Sequence, residues 1–414
     1  MNIAPVTPRD NWVKNITLFL SSQTISLFGS SLVQYAIMWH ITLSTQSGLM
    51  MTFYIICGFI PTFILSPVAG VWADRYNRKI LIIAADGLIA ISTLILAILF
   101  LNGYDAIWLL FLMAAIRAVG TGIQTPAVGA ILPQIVPKDK LTKVNGINGS
   151  IQAIIMFVSP MVSAALLATT SLEVIFFIDV ITAALAIVTL MGFLKIKVHQ
   201  KAAEKITTSY FSDFKEGLRY VGGHAFLKTF FLFFAIFFVL MAPASFLTPL
   251  QVTRSFGADV WRLTAIEIAF SVGMMAGGAI IASWGGFPNK IKTLTLSSMV
   301  MGVCTLALGI APAFWLYLAF MALFGVALPL FNTPATVLLQ EKIEENYLGR
   351  VFGVLGMIST SMMPIGMLIF GPIADVIQIE WLLFGTGALI IFLAVFMGRN
   401  KVLLEAGEPV MNPE

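Results

Sequence analysis

The sequence predicts an all-α integral membrane protein with twelve transmembrane helices in two pseudo-symmetric six-helix bundles. Three observations predict it: a very apolar composition, twelve apolar runs of spanning length, and a repeat that relates the two halves. Of the 414 residues, 59% are hydrophobic and only 11% are charged. Soluble domains carry about 25% charged residues. The polar–apolar alternation of a membrane β-barrel strand is absent.

The apolar runs are long enough to cross the hydrocarbon layer as helices, which takes about 20 residues. They fall at 16–42, 48–73, 80–102, 106–131, 145–169, 174–194, 227–251, 262–284, 291–311, 313–338, 351–375 and 381–398. The first run is too long for the h-region of a signal peptide and has no convincing cleavage site. We therefore expect it to be the first span.

The distribution of Lys and Arg predicts the orientation. With a cytoplasmic N-terminus, 21 of the 24 basic residues fall in cytoplasmic segments, Arg254 and Arg262 fall outside, and Arg117 lies within a span. Basic residues are enriched in cytoplasmic loops. The sequence thus predicts a multi-pass protein of the bacterial cytoplasmic membrane with both termini inside, and no nucleic-acid partner.

The longest connection divides the chain. We expect an N-terminal bundle at 1–194, a cytoplasmic linker at 195–226, a C-terminal bundle at 227–400 and a cytoplasmic tail at 401–414. In the linker, Phe211, Phe214, Leu218 and Val221 recur at helical spacing beside charged residues. This pattern predicts an amphipathic helix at the membrane interface, whose simplest role is to connect the halves.

The two halves resemble each other after spans four and ten. The segment "TPAVGAILPQIVPKDKLTKVNG" (125–146) is similar to "TPATVLLQEKIEENYLGRVFG" (333–353), and their Thr-Pro-Ala triplets lie 208 positions apart. Six spans repeated as six more is typical of secondary transporters, which bind substrate near mid-membrane at the repeat interface.

One loop carries a resemblance to a known family. The stretch "GVWADRYNRK" between spans two and three resembles the signature G-x-x-x-D-R-x-G-R-K of the major facilitator superfamily, with Asn77 in place of a Gly. The matching residues are Gly70, Asp74, Arg75, Arg78 and Lys79. The resemblance covers about residues 15–400 and implies alternating access without an enzymatic step.

Four further segments resemble members of this family. "IRAVGTG" resembles its R-x-x-x-G element and contains Arg117, while "VSPMVSA" resembles G-P-x-x-G-G. In the latter Pro160 is kept, and Ser159, Ser163 and Ala164 stand where the drug antiporters have glycines. "LLQEKIEENYLGRVFG" and "EIAFSVGMMAGG" are most similar to the bacterial macrolide-efflux branch.

The resemblance implies a cytoplasmic gate. Asp74 and Arg78 would approach the start of span eleven, near Gly349 and Arg350, when the protein opens outward. A simpler interpretation is that the basic residues only anchor the loop inside, although this leaves Asp74 unexplained. The equivalent turn of the second half, "SWGGFPNKIK", lacks an Asp.

Four ionisable residues lie within the spans: Asp86, Arg117, Asp179 and Glu267. Each is costly in lipid and should face a cavity or a partner. Because burial favours the neutral form of a carboxyl, we expect Glu267 and Asp179 to carry protons, with Arg117 as their charge partner. Asp179 has an equally good interpretation as a structural hydrogen-bonding residue. We expect Asp86, about 9 Å from the cytoplasmic end, to pair with the basic residues of the gate.

Candidate substrate contacts lie on four spans. Span one carries Gln23 and Gln34, and span four carries Thr121 and Gln124. Such polar stripes either pack helices together or line a cavity. Span seven is rich in aromatics, and Phe237, Phe238 and Met241, with Asn332 in span ten, would suit a bulky apolar ligand, although aromatic stripes more often pack.

These observations favour a proton-coupled exporter of amphipathic, drug-like compounds. A siderophore, lysolipid or other metabolite remains an alternative cargo, and an uncoupled facilitator an alternative mechanism. The sequence has no GxSxG or HExxH motif of a hydrolase, no filter-like loop of a channel and no Walker A motif. We expect no cofactor or metal, and a monomer whose partners are protons, a small amphipathic substrate and the bilayer.

Overall fold

The computed structural model describes residues 12–193 and 210–408, in which every regular element is a helix. The segments 1–11, 194–209 and 409–414, which include parts of the predicted linker and tail, lie outside the described residues. The first half contains α1 (Trp12–Thr45), α2 (Gly48–Arg75), α3 (Arg78–Leu101), α4 (Ile107–Ile135), α5 (Leu141–Thr169) and α6 (Leu172–Phe193).

The remainder begins with a short helix in the segment between the halves. Its helices are α7 (Tyr210–Gly223), α8 (Ala225–Ala242), α9 (Thr248–Ser255), α10 (Val260–Trp284), α11 (Lys290–Ile310), α12 (Phe314–Lys342), α13 (Glu345–Ile373), α14 (Ile379–Arg399) and α15 (Lys401–Ala406). Twelve of the described helical runs are long and apolar enough to cross a membrane, which confirms the predicted fold class.

The seventh crossing is a composite. A π-helical turn at Pro243–Leu247 joins α8 to α9, so that Ala225–Ser255 forms a single apolar run. Proline has no backbone N–H and cannot continue the ordinary helical hydrogen bonding, and π-helical turns are a usual way to accommodate such an interruption.

The chain divides into two compact units. The first unit comprises residues 1–40 and 53–205, and the second comprises residues 41–52 and 206–414. The turn between α1 and α2 is therefore part of the second unit, although most of both helices belongs to the first.

The first unit is built around α3, which packs against both α4 and α6. A side chain at Gly120 of α4 would collide with Ile89 of α3, since an added Cβ would lie 2.6 Å from its side chain. Thr62 of α2 donates a 2.8 Å hydrogen bond to the carbonyl of Ala118. These close approaches position the polar face of α4.

In the second unit, α10 packs against α12, α11 against α14, and α8 against α13. An added Cβ on Gly273 of α10 would lie 2.0 Å from the Ala322 carbonyl oxygen, and one on Gly325 of α12 would lie 2.2 Å from that of Phe270. Glycines at such crossings let membrane helices approach closely. The α10–α12 crossing therefore holds the helix that carries Glu267.

Candidate functional site

A buried ion pair joins α4 to α6. Arg117 donates through Nη1 to Oδ2 of Asp179 across 2.6 Å, and Asp179 is fully buried. Arg117 Nη2 also donates to the Ser30 carbonyl at 2.9 Å, and the Thr93 hydroxyl lies 3.3 Å from Asp179. Gly29 permits this approach of α1, since an added Cβ would collide with Thr182. The pair matches both the predicted charge partnership and the structural interpretation of Asp179.

Asp86 lies in a second buried polar cluster. Its Oδ1 accepts hydrogen bonds from the Ser26 hydroxyl at 2.9 Å and from Nε2 of Gln124 at 2.8 Å. The expected pairing of Asp86 with the basic gate residues is wrong, because its side chain turns toward α1 and α4 instead. Among the described residues, Oδ2 of Asp86 and Nε2 of Gln23 are buried without a hydrogen-bond partner.

Glu267 differs from both aspartates. Its side chain is partly exposed on α10, one turn after the buried Leu263. Within residues 12–193 and 210–408, the carboxyl has no hydrogen bond or ion pair. Among the described residues, Glu267 thus lies within a predicted span, is partly exposed and has no hydrogen-bonding or ionic partner.

The signature loop is organised by local contacts within the first unit. Asn77 caps α3 by accepting a hydrogen bond from the Lys79 N–H at 3.0 Å. Arg78 donates to the carbonyls of Ala73 and Ala130, both at 2.8 Å, and so ties the end of α2 to α4. The side chains of Asp74 and Arg75 lie outside the described residues.

The second half repeats this cap. Asn289 precedes α11, accepts a hydrogen bond from the Ile291 N–H at 3.0 Å, and donates to the Leu404 carbonyl of α15. An asparagine therefore supplies the same helix cap in both halves. Asparagine is a favoured residue at the N-cap position. This capping role gives Asn77 a structural function at the position where the signature motif has a glycine.

The start of α13 contacts α7. Arg350 binds Oε2 of Glu216 at 2.9 Å, and its guanidinium lies over the Tyr347 ring at 5.6 Å. Tyr347 in turn stacks on Tyr220, with ring centroids 4.2 Å apart. Gly349 is exposed. Sequence reasoning missed Glu216 and Tyr220 as neighbours of Arg350, because 134 residues separate Glu216 from Arg350.

The span-seven aromatics pack in the core of the second unit. Phe237, Phe238 and Met241 are buried, and Phe237 stacks on Phe331 of α12 with centroids 4.5 Å apart. Their predicted role as substrate contacts is not supported, because their surfaces are covered by neighbouring helices. Gln34, Thr121 and Asn332 are exposed, and Gln23 and Gln124 are partly buried.

The segment "VSPMVSA" on α5 contacts α1. Ser163 donates to the Leu32 carbonyl at 3.0 Å, and both Ser159 and Pro160 are buried. The Ser159 hydroxyl has no hydrogen-bond partner among the described residues. Serines thus take the positions of glycines at a tight helix contact.

A polar cluster that the sequence did not reveal lies after α13. Asp375 accepts hydrogen bonds from the Ser47 hydroxyl and the Gly48 N–H, both at 2.7 Å, and from the Leu49 N–H at 2.9 Å. Arg254 binds the same carboxylate at 2.9 Å. Burial alone would raise the pKa of Asp375, but these hydrogen bonds outweigh it and lower the pKa below its ordinary value.

No group of three or more His, Cys, Asp or Glu side chains in the described chain could hold a metal ion. In the part of the chain that the structure describes, twelve helices are long and apolar enough to cross a membrane, and Asp86 and Asp179 are buried within them. The model of the Major Facilitator Superfamily matches residues 16–367. The chain belongs to the Major Facilitator Superfamily. The resemblance inferred from the signature loop is thereby confirmed, and the chain is a multi-pass bacterial membrane transporter.

Three named bacterial transporters, two of which carry efflux names, are similar to the chain over 75% or more of its length. Macrolide efflux protein A of Streptococcus pyogenes is 30% identical over 388 residues, covering 93% of this chain and 96% of that protein. The protein of the same name from Enterococcus faecalis is 31% identical, over 75% of this chain and 96% of its own length. The Staphyloferrin A transporter of Staphylococcus aureus is 22% identical, covering 92% and 95%.

Solved structures of the superfamily share the fold. A mutant of the nucleoside transporter NupG has a TM-score of 0.70 at 16% identity and covers 94% of this chain and 100% of its own. A bacterial homologue of the iron transporter ferroportin, in its inward-facing state, has a TM-score of 0.68 at 15% identity, covering 94% and 99%. At these identities the similarity shows the fold alone.

Proposed function

We propose that this transporter exports amphipathic, drug-like compounds of the macrolide type in exchange for protons. It does so by alternating access in the bacterial cytoplasmic membrane, with both termini in the cytoplasm. The observation that carries the proposal is the 30% identity to Macrolide efflux protein A over 93% of the chain. The 21 basic residues assigned to cytoplasmic segments support the orientation.

Glu267 is the proposed proton carrier. A carrier must bind and release a proton during each cycle, so it needs access and must not be held ionised by a fixed cation. Glu267 is partly exposed and has no ion pair within the described residues. It meets both requirements.

Asp179 is assigned a supporting role. Its contact with Arg117 at 2.6 Å favours the ionised carboxylate, because a nearby positive charge stabilises that form. Breaking this contact in every cycle would expose two buried charges. Asp86 has no cationic partner among the described residues and is the second candidate for proton binding.

The cytoplasmic gate remains a proposal that rests on the signature motif. It comprises Gly70, Asp74, Arg75, Arg78, Lys79, Gly349 and Arg350. In the structure Arg78 donates to the carbonyls of Ala73 and Ala130, and Arg350 pairs with Glu216. Under the proposal, gating would replace these contacts. The proposed substrate contacts are the exposed Gln34, Thr121 and Asn332, together with Gln23 and Gln124.

Uptake into everted membrane vesicles tests the function. Vesicles that contain the protein receive an acidic lumen and radiolabelled erythromycin outside. We expect lumenal accumulation that a protonophore discharges, because protons leaving the lumen drive the exchange. Vesicles without the protein are the control.

Two results would redirect the proposal. Erythromycin that equilibrates without any dependence on the pH gradient would indicate a facilitator. Absence of macrolide flux, together with gradient-dependent movement of a siderophore, would favour the alternative cargo, for which the 22% identity to the Staphyloferrin A transporter is the supporting observation.

A further inference from the structure

A cavity of 810 Å³ lies within the first unit, between the first halves of α1 and α5. Its lining begins at Trp12 on α1 and at Lys140, the residue before α5, and it ends at Ile25 and Ile151. Both helices therefore enter the cavity from the same end. That end carries two lysines, Lys140 and Lys143, and by the distribution of basic residues it is cytoplasmic.

The cavity has the dimensions of one membrane leaflet. The stretch from Trp12 to Ile25 rises about 20 Å in a helix, whereas half of the hydrocarbon layer is about 15 Å thick. The surplus of about 5 Å reaches into the headgroup layer. Trp12 lies at this level, where tryptophan is enriched in membrane proteins.

The chemistry of the lining changes along this length. Lys140 and Lys143 lie at the cytoplasmic end, and Thr17 and Ser21 follow one turn apart on α1. Past the lysines the α5 side of the lining is aliphatic, with Val144, Ile147 and Ile151, whereas on α1 the hydroxyls of Thr17, Ser21 and Thr24 alternate with aliphatic side chains. The α5 side thus passes from cations to hydrocarbon and α1 adds hydroxyls beside it, which suits the phosphate, acyl chain and ester groups of a phospholipid.

The two lysines are available for an anion. Lys143 is exposed and has no hydrogen bond or ion pair within the described residues. Lys140 lies 3.1 Å from its neighbour Asp139, but both side chains are at least half exposed. Exposed ion pairs of this kind contribute little to stability, so Lys140 can exchange its contact with Asp139 for one with a phosphate.

We propose that the α1–α5 cavity binds one anionic phospholipid of the cytoplasmic leaflet. The phosphate lies between Lys140 and Lys143, the ester carbonyls accept hydrogen bonds from Thr17 and Ser21, and one acyl chain follows Ile147 and Ile151. Basic pockets between spanning helices on the cytoplasmic side are a general device for binding such headgroups. A macrolide, which carries an amine, would be repelled by the lysines.

Native mass spectrometry of the detergent-purified protein tests the proposal. Phosphatidylglycerol and phosphatidylcholine with identical acyl chains are titrated in separate experiments. We expect one tightly bound phosphatidylglycerol, because each lysine near the headgroup favours an anionic lipid about fivefold. Changing both residues, K140Q with K143Q, should weaken phosphatidylglycerol about 25-fold and leave phosphatidylcholine unchanged.

Two matched variants separate the site from general surface charge and from the headgroup alone. K290Q with K292Q makes the same charge change at the start of α11 and should bind phosphatidylglycerol like the wild type. I147W, which fills the aliphatic part, should weaken both lipids. Glycerophosphoglycerol, which lacks acyl chains, should not displace the bound lipid.

The proposal is overturned if both double variants lose phosphatidylglycerol equally, or if neither loses it. Displacement of phosphatidylglycerol by equimolar erythromycin would also overturn it, since the cavity would then belong to the export pathway. Unfolding midpoints measured without lipid confirm that the variants are folded.

Discussion

Arg117 and Asp179 form an ion pair at 2.6 Å in which the aspartate is fully buried and the arginine is 12% exposed. The Ser30 carbonyl and the Thr93 hydroxyl provide further hydrogen-bond partners. Replacing one charge of a buried pair leaves the other uncompensated and typically costs about 3–5 kcal/mol. Removing both charges together can be much less costly.

D179L and R117M should therefore each lower the stability of the purified protein strongly, by about 3–5 kcal/mol. The double variant R117M with D179L should recover most of that loss. Unfolding midpoints in detergent measure this difference. D259N, which removes the exposed carboxylate that pairs with the partly buried Arg262, is the control and should cost about 1 kcal/mol or less. Strict additivity of the two single losses would contradict this account.

Asp375 accepts hydrogen bonds from the first two backbone N–H groups of α2 and from Arg254. D375N should lower stability by about 1–3 kcal/mol, because it replaces charge-assisted acceptors with a weaker one. D105N, an exposed change in the loop before α4, should leave the unfolding midpoint unchanged.

The pH dependence of the Asp375 effect follows from its lowered pKa. A group whose folded pKa lies below its unfolded value of 3.8 stabilises the protein above that value and loses the effect as the pH falls through the folded pKa. The difference in free energy of unfolding between wild type and D375N should thus stay constant from pH 5 to pH 8 and shrink only below about pH 4. A stability difference that disappears between pH 7 and pH 5 would contradict the lowered pKa of Asp375.

The contact of α7 with α13 depends on an aromatic stack and an ion pair. Stacked rings contribute about 0.5–1.5 kcal/mol beyond their burial, whereas an exposed ion pair contributes about 0–1 kcal/mol. Glu216 is 56% exposed. Y347A should therefore increase hydrogen exchange in Tyr210–Gly223 more than E216Q does. Y347F keeps the stack on Tyr220 and should resemble the wild type. A larger increase in hydrogen exchange for E216Q than for Y347A would show that the ion pair dominates the contact.

Two glycines of α10 differ in what a methyl group would meet. G273A would place its Cβ 2.0 Å from the Ala322 carbonyl oxygen, whereas nothing lies within 4 Å of a Cβ at Gly278. G273A should destabilise the protein by about 1–3 kcal/mol through overpacking. G278A should be neutral or slightly stabilising, because alanine favours the helix by up to about 1 kcal/mol. Equal effects in unfolding experiments would rule out the close α10–α12 contact.

The sequence predicted the twelve spans because the bilayer imposes length and apolarity on each helix separately. It predicted the family because the signature loop is one continuous stretch of the chain. It also placed Arg117 on the polar face of α4 and named Asp179 as a candidate partner. Both inferences depend on residues within one helix, or on charges that are rare enough in spans to be paired with one another.

Other contacts depend on residues far apart in the chain. Asp375 and Ser47 are 328 positions apart, and no local pattern marks either as a partner. Asp86 turned toward Ser26 and Gln124 rather than the loop, because helix rotation decides which neighbours a side chain meets. Phe237 could have lined a cavity or packed, and only the position of Phe331 decided it.

The proposed role of Glu267 in coupling export to protons can be measured directly. Proteoliposomes containing wild type, E267Q or E405Q, whose change lies on the exposed face of α15, are assayed for erythromycin counterflow without a gradient and for accumulation driven by a pH gradient. We predict that E267Q retains counterflow but loses gradient-driven accumulation, while E405Q retains both. Gradient-driven accumulation by E267Q at the wild-type level would contradict the assignment of Glu267 as the proton carrier.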